Sequence, residues 1–313
     1  MWTMILKRLF RGLLTMIFVV VLIFALLRIA PGDPAAMMAG EYATEERIEE
    51  VREEWGLNEP ITTQFFIYVK ALLTGDAGMS YQYTMGSTPI WSVTSLVLAR
   101  LPYTLALASA AMLINILVAI PLGVITALKP NSWLDNFLNA FNFVVLSFPV
   151  FFLGIMMMFA FGVHLRILPT GGTDSPLSII LPAATLSMHF NVTLMRMTRT
   201  EVGRNLQSDY IRVCRAKGLS SIRTLFIHGL RNAAIPLVTL IGLCFGAMMG
   251  GAVVVETLFR WPGIGNLLIT SVQARDYPTV QFLVPYVAFV FIVINLIVDI
   301  LYGVLDPRIH RKA

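Results

Sequence analysis

The chain has 313 residues, 57% of them hydrophobic and only 13% charged, with a formal net charge of +5. This balance excludes an ordinary soluble domain, and the placement of the charge says more than its sum. The two cysteines, Cys214 and Cys244, are too few for a disulfide framework and have no metal-site neighbours, so both read as small packing residues.

Six stretches are long and apolar enough to cross a bilayer: residues 9–29, 101–128, 137–162, 177–195, 235–258 and 282–304. Lipid does not tolerate bare backbone polar groups, so each is expected to be helical; the short alternating strands of a membrane barrel are missing. The first stretch follows Lys7, Arg8 and Arg11 and imitates a signal peptide. Its apolar run exceeds a usual signal core and ends in Arg28-Ile29-Ala30-Pro31, a poor cleavage sequence, so it reads as a retained span with a cytoplasmic N-terminus.

Residues 31–100 are the sizeable external segment, made acidic by Glu41, Glu45, Glu46, Glu49, Glu50, Glu53, Glu54 and Glu59. A helix starting near Thr44 would put Ile48, Val51 and Trp55 on one face. A second, after Pro60, would use Ile61, Phe65, Tyr68, Val69 and Leu72, and Gly75-Asp76-Ala77-Gly78 would then turn the chain. The glutamates read as a solvated face, with contact to an external partner as the sharper alternative. Residues 101–304 form a five-helix core, and residues 305–313 a cytoplasmic tail.

Within the spans, Pro121, Gly123, Pro149, Gly154, Pro182 and Pro285 recur, and Gly246 with Gly250 forms a GxxxG pair that permits close helix approach. The fourth span is the shortest and carries Pro182, His189 and Asn191. Charge sets the orientation. Lys129, Arg196, Arg199, Arg204, Arg212, Arg215, Lys217, Arg223, Arg231, Arg308, Arg311 and Lys312 fall on the side of the N-terminal cluster. Arg47, Arg52, Lys70, Arg166, Arg260 and Arg275 fall opposite, which supports an all-α integral membrane fold of six transmembrane helices with both termini cytoplasmic.

The most patterned loop lies within residues 196–234. Tyr210, Ile211, Val213 and Cys214 recur at helical spacing, Gly218 ends that run, and Ile222, Leu225, Phe226 and Leu230 begin another. Two short amphipathic helices joined at a glycine, on a strongly basic loop, suit docking into another protein.

No Gly-Lys-Ser/Thr occurs, so nothing should cradle a triphosphate, and His164, His189, His228 and His310 are scattered without an HExxH. No catalytic or metal-binding constellation is expected. Ionisable groups inside spans are few: Asp299, Glu256 and His189. Glu256 is expected to brace the external turn around 259–265, with Arg260 as a partner. This dearth argues against a self-energised carrier, and an integral membrane enzyme lacks a nucleophile. Asn115, Asn142, His189, Asn191 and Glu256 are candidates for a translocation pathway on polarity alone.

Several segments together carry a resemblance. They include Arg28-Ile29-Ala30-Pro31-Gly32-Asp33-Pro34, Gly56-Leu57-Asn58-Glu59-Pro60, Gly75-Asp76-Ala77-Gly78-Met79-Ser80 and Arg196-Met197-Thr198-Arg199. Strongest are Asp209-Tyr210-Ile211-Arg212, Arg215-Ala216-Lys217-Gly218-Leu219 and His228-Gly229-Leu230-Arg231-Asn232-Ala233. Trp261-Pro262-Gly263-Ile264-Gly265, Arg275-Asp276-Tyr277-Pro278 and Asp306-Pro307-Arg308-Ile309 follow. Over nearly its whole length the chain resembles the permease subunits of bacterial ATP-binding-cassette (ABC) importers, in the branch serving dipeptides, oligopeptides, glutathione and nickel.

The resemblance implies a type I importer permease fold in the bacterial inner membrane. It implies a sister permease, two ATPase subunits that bind ATP and Mg, an external solute-binding protein, no cofactor on this chain and no nucleic acid. The family's coupling motif, named for Glu-Ala-Ala followed by Gly, maps with its glycine on Gly218, while the first positions read Arg212-Val213-Cys214. Tyr210, Arg212, Arg215, Ala216, Lys217, Gly218, Leu219, His228, Arg231 and Asn232 would then contact the ATPase. Peptide cargo is the expected reading, a nickel or metal-chelate permease the alternative, and a self-contained channel or secondary transporter the more remote one.

Overall fold

The computed structural model describes residues 2–29, 32–39, 43–80, 92–220 and 223–305. Among them the regular structure is helical, apart from one antiparallel bridge between Met79 and Ser92. In chain order the helices are α1 (Trp2–Ile29), α2 (Pro34–Ala39), α3 (Glu45–Glu54), α4 (Ile61–Thr74), α5 (Val93–Leu128), α6 (Trp133–Ser147) and α7 (Val150–Met157). Then come α8 (Ile180–Leu206), α9 (Asp209–Ala216), α10 (Arg231–Leu258), α11 (Ile264–Gln273) and α12 (Tyr277–Leu305).

Five helical stretches are long and apolar enough to span: Leu6–Ile29, Val93–Leu128, Pro176–Leu206, Arg231–Leu258 and Tyr277–Val298. The third expected span, 137–162, is not one straight helix. It is the pair Trp133–Ser147 and Val150–His164, bent by 109°. Pro149 explains the break. A proline disfavours helical backbone in the residue before it, and Phe148 sits at φ −109°, ψ 140°, which is extended. The sequence flagged Pro149 but not the size of its effect. Beyond α7 the backbone loosens into a π-type stretch, Met158–His164.

The chain forms two compact units. One comprises Trp2–Thr104 with Pro262–Val293; the other comprises Leu105–Trp261 with the chain from Ile294 onward.

In the first unit the external helices form as their sequences require. Thr44 caps α3, its hydroxyl accepting from the Arg47 N–H at 3.3 Å, and Val51 is buried while the glutamates of α3 stay exposed. On α4 the inward face is Gln64, Phe65, Tyr68, Val69 and Leu72; Ile61, assigned to it from sequence, is exposed. Gln64 takes its place because it has partners. Its Oε1 accepts from Arg28 Nε at 2.9 Å, and its Nε2 donates to the Leu57 and Glu59 carbonyls. Phe24 of α1 stacks on Tyr68, and the Tyr68 hydroxyl donates to the Gln281 carbonyl at 2.9 Å. Burial pushes that phenol well above its ordinary pKa, so it remains a neutral donor. The buried Asp276 caps α12, accepting from Thr279 N–H and Thr279 Oγ1 as well as from Ser80 Oγ.

The second unit is built around α8. Leu107, Ala111 and Met112 of α5 share a core with Leu181 and Leu186 of α8 and with Met248 and Val255 of α10. A second cluster joins Ala119, Leu138, Leu194, Met195, Val202, Leu225 and Leu237. Close approach occurs at Gly242 and Gly246, whose added Cβ atoms would meet Val298 Cγ1 at 2.1 Å and Asn295 Oδ1 at 2.7 Å. Gly250 has nothing within 4 Å, so the small-residue contact is Gly242–Gly246 rather than the expected Gly246–Gly250.

Candidate coupling surface and polar interior

Among the described residues between α8 and α10 the chain makes a short helix, α9, and then a corner. Asp209 in the first turn of α9 complements the helix dipole, and the Arg212–Asp209 pair at 3.6 Å is fully on the surface. Ile211 is wholly buried and fixes α9 to the protein, whereas Tyr210, Arg212, Val213, Ala216 and Lys217 are exposed. The helix ends as a Schellman motif. Gly218 takes φ 80°, and the Leu219 N–H donates to the Cys214 carbonyl at 3.2 Å. A Cβ at Gly218 would meet nothing within 4 Å, so glycine is required there by backbone conformation and not by crowding.

The expected second short helix is not separate. Ser220 caps a new start, accepting from Arg223 N–H, and the π-type stretch Thr224–Leu230 runs straight into α10. Nothing breaks the chain at Leu230, whose backbone is helical (φ −71°, ψ −36°), so the run that sequence ended before the span is its first turns. Leu225 points inward, while Phe226 and Ile227 are exposed beside Arg223, Arg231 and Asn232. The segment therefore presents Tyr210, Val213, Phe226 and Ile227 among basic side chains. The side chains of Arg215 and His228, also assigned to this surface, lie outside those described, as does that of Asp299.

The pathway candidates separate into groups. Asn115 on α5 is completely buried, and neither its Nδ2 nor its Oδ1 has a partner among the described residues. His189 Nδ1 and Asn191 Oδ1 on α8 are likewise buried without partners; Asn191 Nδ2 donates to Ser187 Oγ at 3.3 Å. Helices α5 and α8 run parallel, since their shared clusters advance together along both. A Cβ on Gly123 would lie 2.6 Å from Thr198 Cβ and 2.7 Å from the Met195 carbonyl, so the two helices approach closely there. Asn142 of α6 stands elsewhere, its Nδ2 at 3.7 Å from Met195 Sδ. Glu256 is fully buried near the other end of α10, and its carbonyl accepts the Trp261 N–H at 2.8 Å. Arg260, the partner expected of it, is exposed at φ 50°.

Sequence reasoning missed one buried ion pair. Asp135 in the first turn of α6 is 1% exposed and pairs with Arg199 of α8 at 2.6 Å. Its signal is the Ser132-x-x-Asp135 spacing of a capping box, which marks a helix start but not the distant arginine.

Among the described residues, the apolar spans, the bent helix pair and the basic, partly apolar surface segment are those of a multi-pass membrane protein. The comparisons give the family. Residues 119–311 match the model of the binding-protein-dependent transport system inner membrane component, and residues 1–108 match that of the N-terminal part of such membrane components. The chain belongs to this family: it is the multi-pass inner-membrane permease subunit of an ABC importer, not an enzyme. It is 38% identical to a probable peptide ABC transporter permease of Sinorhizobium fredii, covering 98% of each chain. It is 40% identical to a glutathione transport system permease of Salmonella paratyphi A, over 98% of this chain and 99% of that one. In fold it is similar to a chain of the methionine ABC transporter MetNI, with TM-score 0.57 and 15% identity, covering 67% of this chain and 96% of that one. An amino acid ABC transporter chain is similar too, with TM-score 0.51 and 14% identity, covering 69% and 94%. Permeases of this family work generally with a partner permease, an ATPase and a binding protein.

Proposed function

We propose that this chain forms half of a translocation pathway for peptides, delivered by an external solute-binding protein and driven by two ATPase subunits that bind ATP and Mg. The observation that carries the cargo class is end-to-end similarity to relatives named for peptide and glutathione transport. A sister permease supplies the other half. Both termini face the cytoplasm, in keeping with the basic residues gathered on that side.

In this reading α9 and its Gly218 corner sit in a groove of one ATPase. Tyr210, Val213, Phe226 and Ile227 supply apolar contact, and Arg212, Lys217, Arg223 and Arg231 meet an acidic rim. ATP binding draws the ATPases together, α9 moves with them, and the helices alternate between inward and outward openings. Asn115, His189 and Asn191 lie along the pathway side of the bundle, with Asn142 and Glu256 nearer its two ends.

Purification of the tagged chain from its native membrane in mild detergent, followed by mass spectrometry, tests the assembly. Recovery of ATPase subunits and a second permease, with uptake of labelled peptide by cells that carry them, is the expected result. A chain that elutes alone and is indifferent to Gly218→Asp overturns the coupling surface.

A further inference from the structure

The Arg196-Met197-Thr198-Arg199 turn of α8 is held from two sides. On one side, Arg199 Nη2 donates to Asp135 Oδ2 at 2.6 Å, and the Arg196 guanidinium lies 5.2 Å from the centroid of the Phe143 ring; both partners are on α6. On the other side, Gly123 lets α5 approach Met195 and Thr198 closely. Asp135 is an anchored charge. Its Oδ2 also accepts the Asn131 N–H at 2.9 Å, its Oδ1 accepts from Asn139 Nδ2 at 3.1 Å, and it is almost wholly buried. An apolar contact can slide over its neighbour. A buried carboxylate held by an arginine has one register, because separation leaves an uncompensated charge.

The same helix carries α9 at its far end. Asn205 Oδ1 accepts from the Tyr210 hydroxyl at 2.8 Å, and Ser208 Oγ donates to the Asn205 carbonyl at 2.5 Å. Helix α6, for its part, ends at the Phe148-Pro149 break and the 109° bend into the next helix.

We infer that Asp135, through Arg199, is the positioning residue that passes a displacement of α9 along α8 to α6, and so to the bent α6–α7 pair. This rests on reading α9 as the ATPase-docking helix. A contact transmits between sites only if it ties them to an element with two arrangements. We take the proline break at 148–149, with its 109° bend, as that element.

The test uses the complete importer, co-purified with its ATPase subunits and reconstituted in nanodiscs. Spin labels replace Phe151 on α7 and Thr200 on α8, with Cys214→Ser and Cys244→Ala removing the native thiols. Pulsed electron paramagnetic resonance then measures the 151–200 distance without nucleotide and with ATP and vanadate, so that no cargo need be known. ATP changes the distance in the parent. In Asp135→Asn that change shrinks while complex yield and ATP hydrolysis persist, and transmission falls roughly 2- to 30-fold, the range for a contact that modulates coupling. The double variant Asp135→Asn/Arg199→Gln matches the single one, because the pair acts as a unit. Arg199→Lys, which keeps the charge, retains part of the response.

An unaltered distance change in Asp135→Asn overturns the inference, as does a parent in which ATP leaves the distance unmoved. So does a parallel fall of assembly and hydrolysis in Asp135→Asn, Asp135→Glu and Arg199→Lys, which marks a purely structural pair. Gly218→Asp is measured alongside. If it keeps the full ATP-driven change, the docking-helix reading fails, and that result is separate from the Asp135 variants.

Discussion

The α9 corner and the middle of the α5–α8 pair are unfinished in opposite ways. At the corner the polar groups are largely closed: Tyr210 bonds Asn205, Leu219 bonds Cys214, and Ser220 caps the next turn. What is left open there is apolar surface on Val213, Phe226 and Ile227. In the middle of the pair what is left open is polar and inside: Asn115, His189 and Asn191 have buried polar atoms with no partner among the described residues. Apolar surface exposed outside the lipid is completed by another protein. Buried polar atoms are completed by water, by cargo, or by a different arrangement of helices. A permease needs both kinds of incompleteness, one facing its engine and one facing its freight.

The largest effect that would break this contrast is at Gly218. Gly218→Asp should bring uptake to background with normal membrane levels of the chain. A left-handed backbone costs a non-glycine residue about 1–2 kcal/mol in open space, and the aspartate adds a negative charge to a corner whose basic residues are read as meeting an acidic rim. Gly218→Asn should therefore be milder than Gly218→Val, because asparagine tolerates that region best. Equal uptake by the Asn and Val variants would mean that the corner's shape is not what the partner reads.

Gly123→Leu should come next. Its side chain would drive into Thr198 and the Met195 carbonyl, and overpacking of this kind costs about 1–3 kcal/mol. Thermal unfolding in detergent should fall by several degrees. An unchanged transition would mean that α5 and α8 do not approach closely at Gly123.

That close approach also shows where sequence reading stops. The spans, the Thr44 cap, the α4 helix and the Gly218 corner each announce themselves through local spacing, capping chemistry or an apolar run. The bend at Pro149 is only half announced: the proline says that the helix is disturbed, while packing around Gly154, which approaches Leu258 and Thr185, goes with how far. Gln64 in place of Ile61 was hidden for another reason. A polar side chain goes inward only when distant donors and acceptors await it, and Arg28, Leu57 and Glu59 are not visible from α4 alone. The Asp135–Arg199 pair is likewise a contact across the sequence, though the capping-box spacing placed Asp135 at a helix start.

Asn115→Leu sharpens the buried half of the comparison. Replacing an unsatisfied buried amide by an apolar side chain of similar size should stabilise the chain by about 1–3 kcal/mol, the penalty for such a group. Uptake should nonetheless fall if the amide serves the pathway. A gain in thermal stability with lost uptake separates function from folding at this residue. A loss of stability would show that the amide already has its partners and that the interior is not open in the sense described.

The smallest effect belongs to the surface half. Tyr210→Phe removes the hydrogen bond to Asn205 but keeps the ring, so the corner loses one polar closure and no apolar contact. A bond of this kind contributes about 0.5–1.5 kcal/mol, too little to unfold α9, which Ile211 also anchors. Backbone amides of residues 209–216 should exchange hydrogen a few times faster, with membrane level unchanged and uptake reduced at most several-fold. Tyr210→Ala removes ring and hydroxyl together. If docking uses the exposed ring, Ala should cost far more uptake than Phe at similar exchange rates. If the two variants lose uptake equally, the hydroxyl's hold on α8 is what matters, and α9 works as a lever attached to that helix more than as an apolar plug.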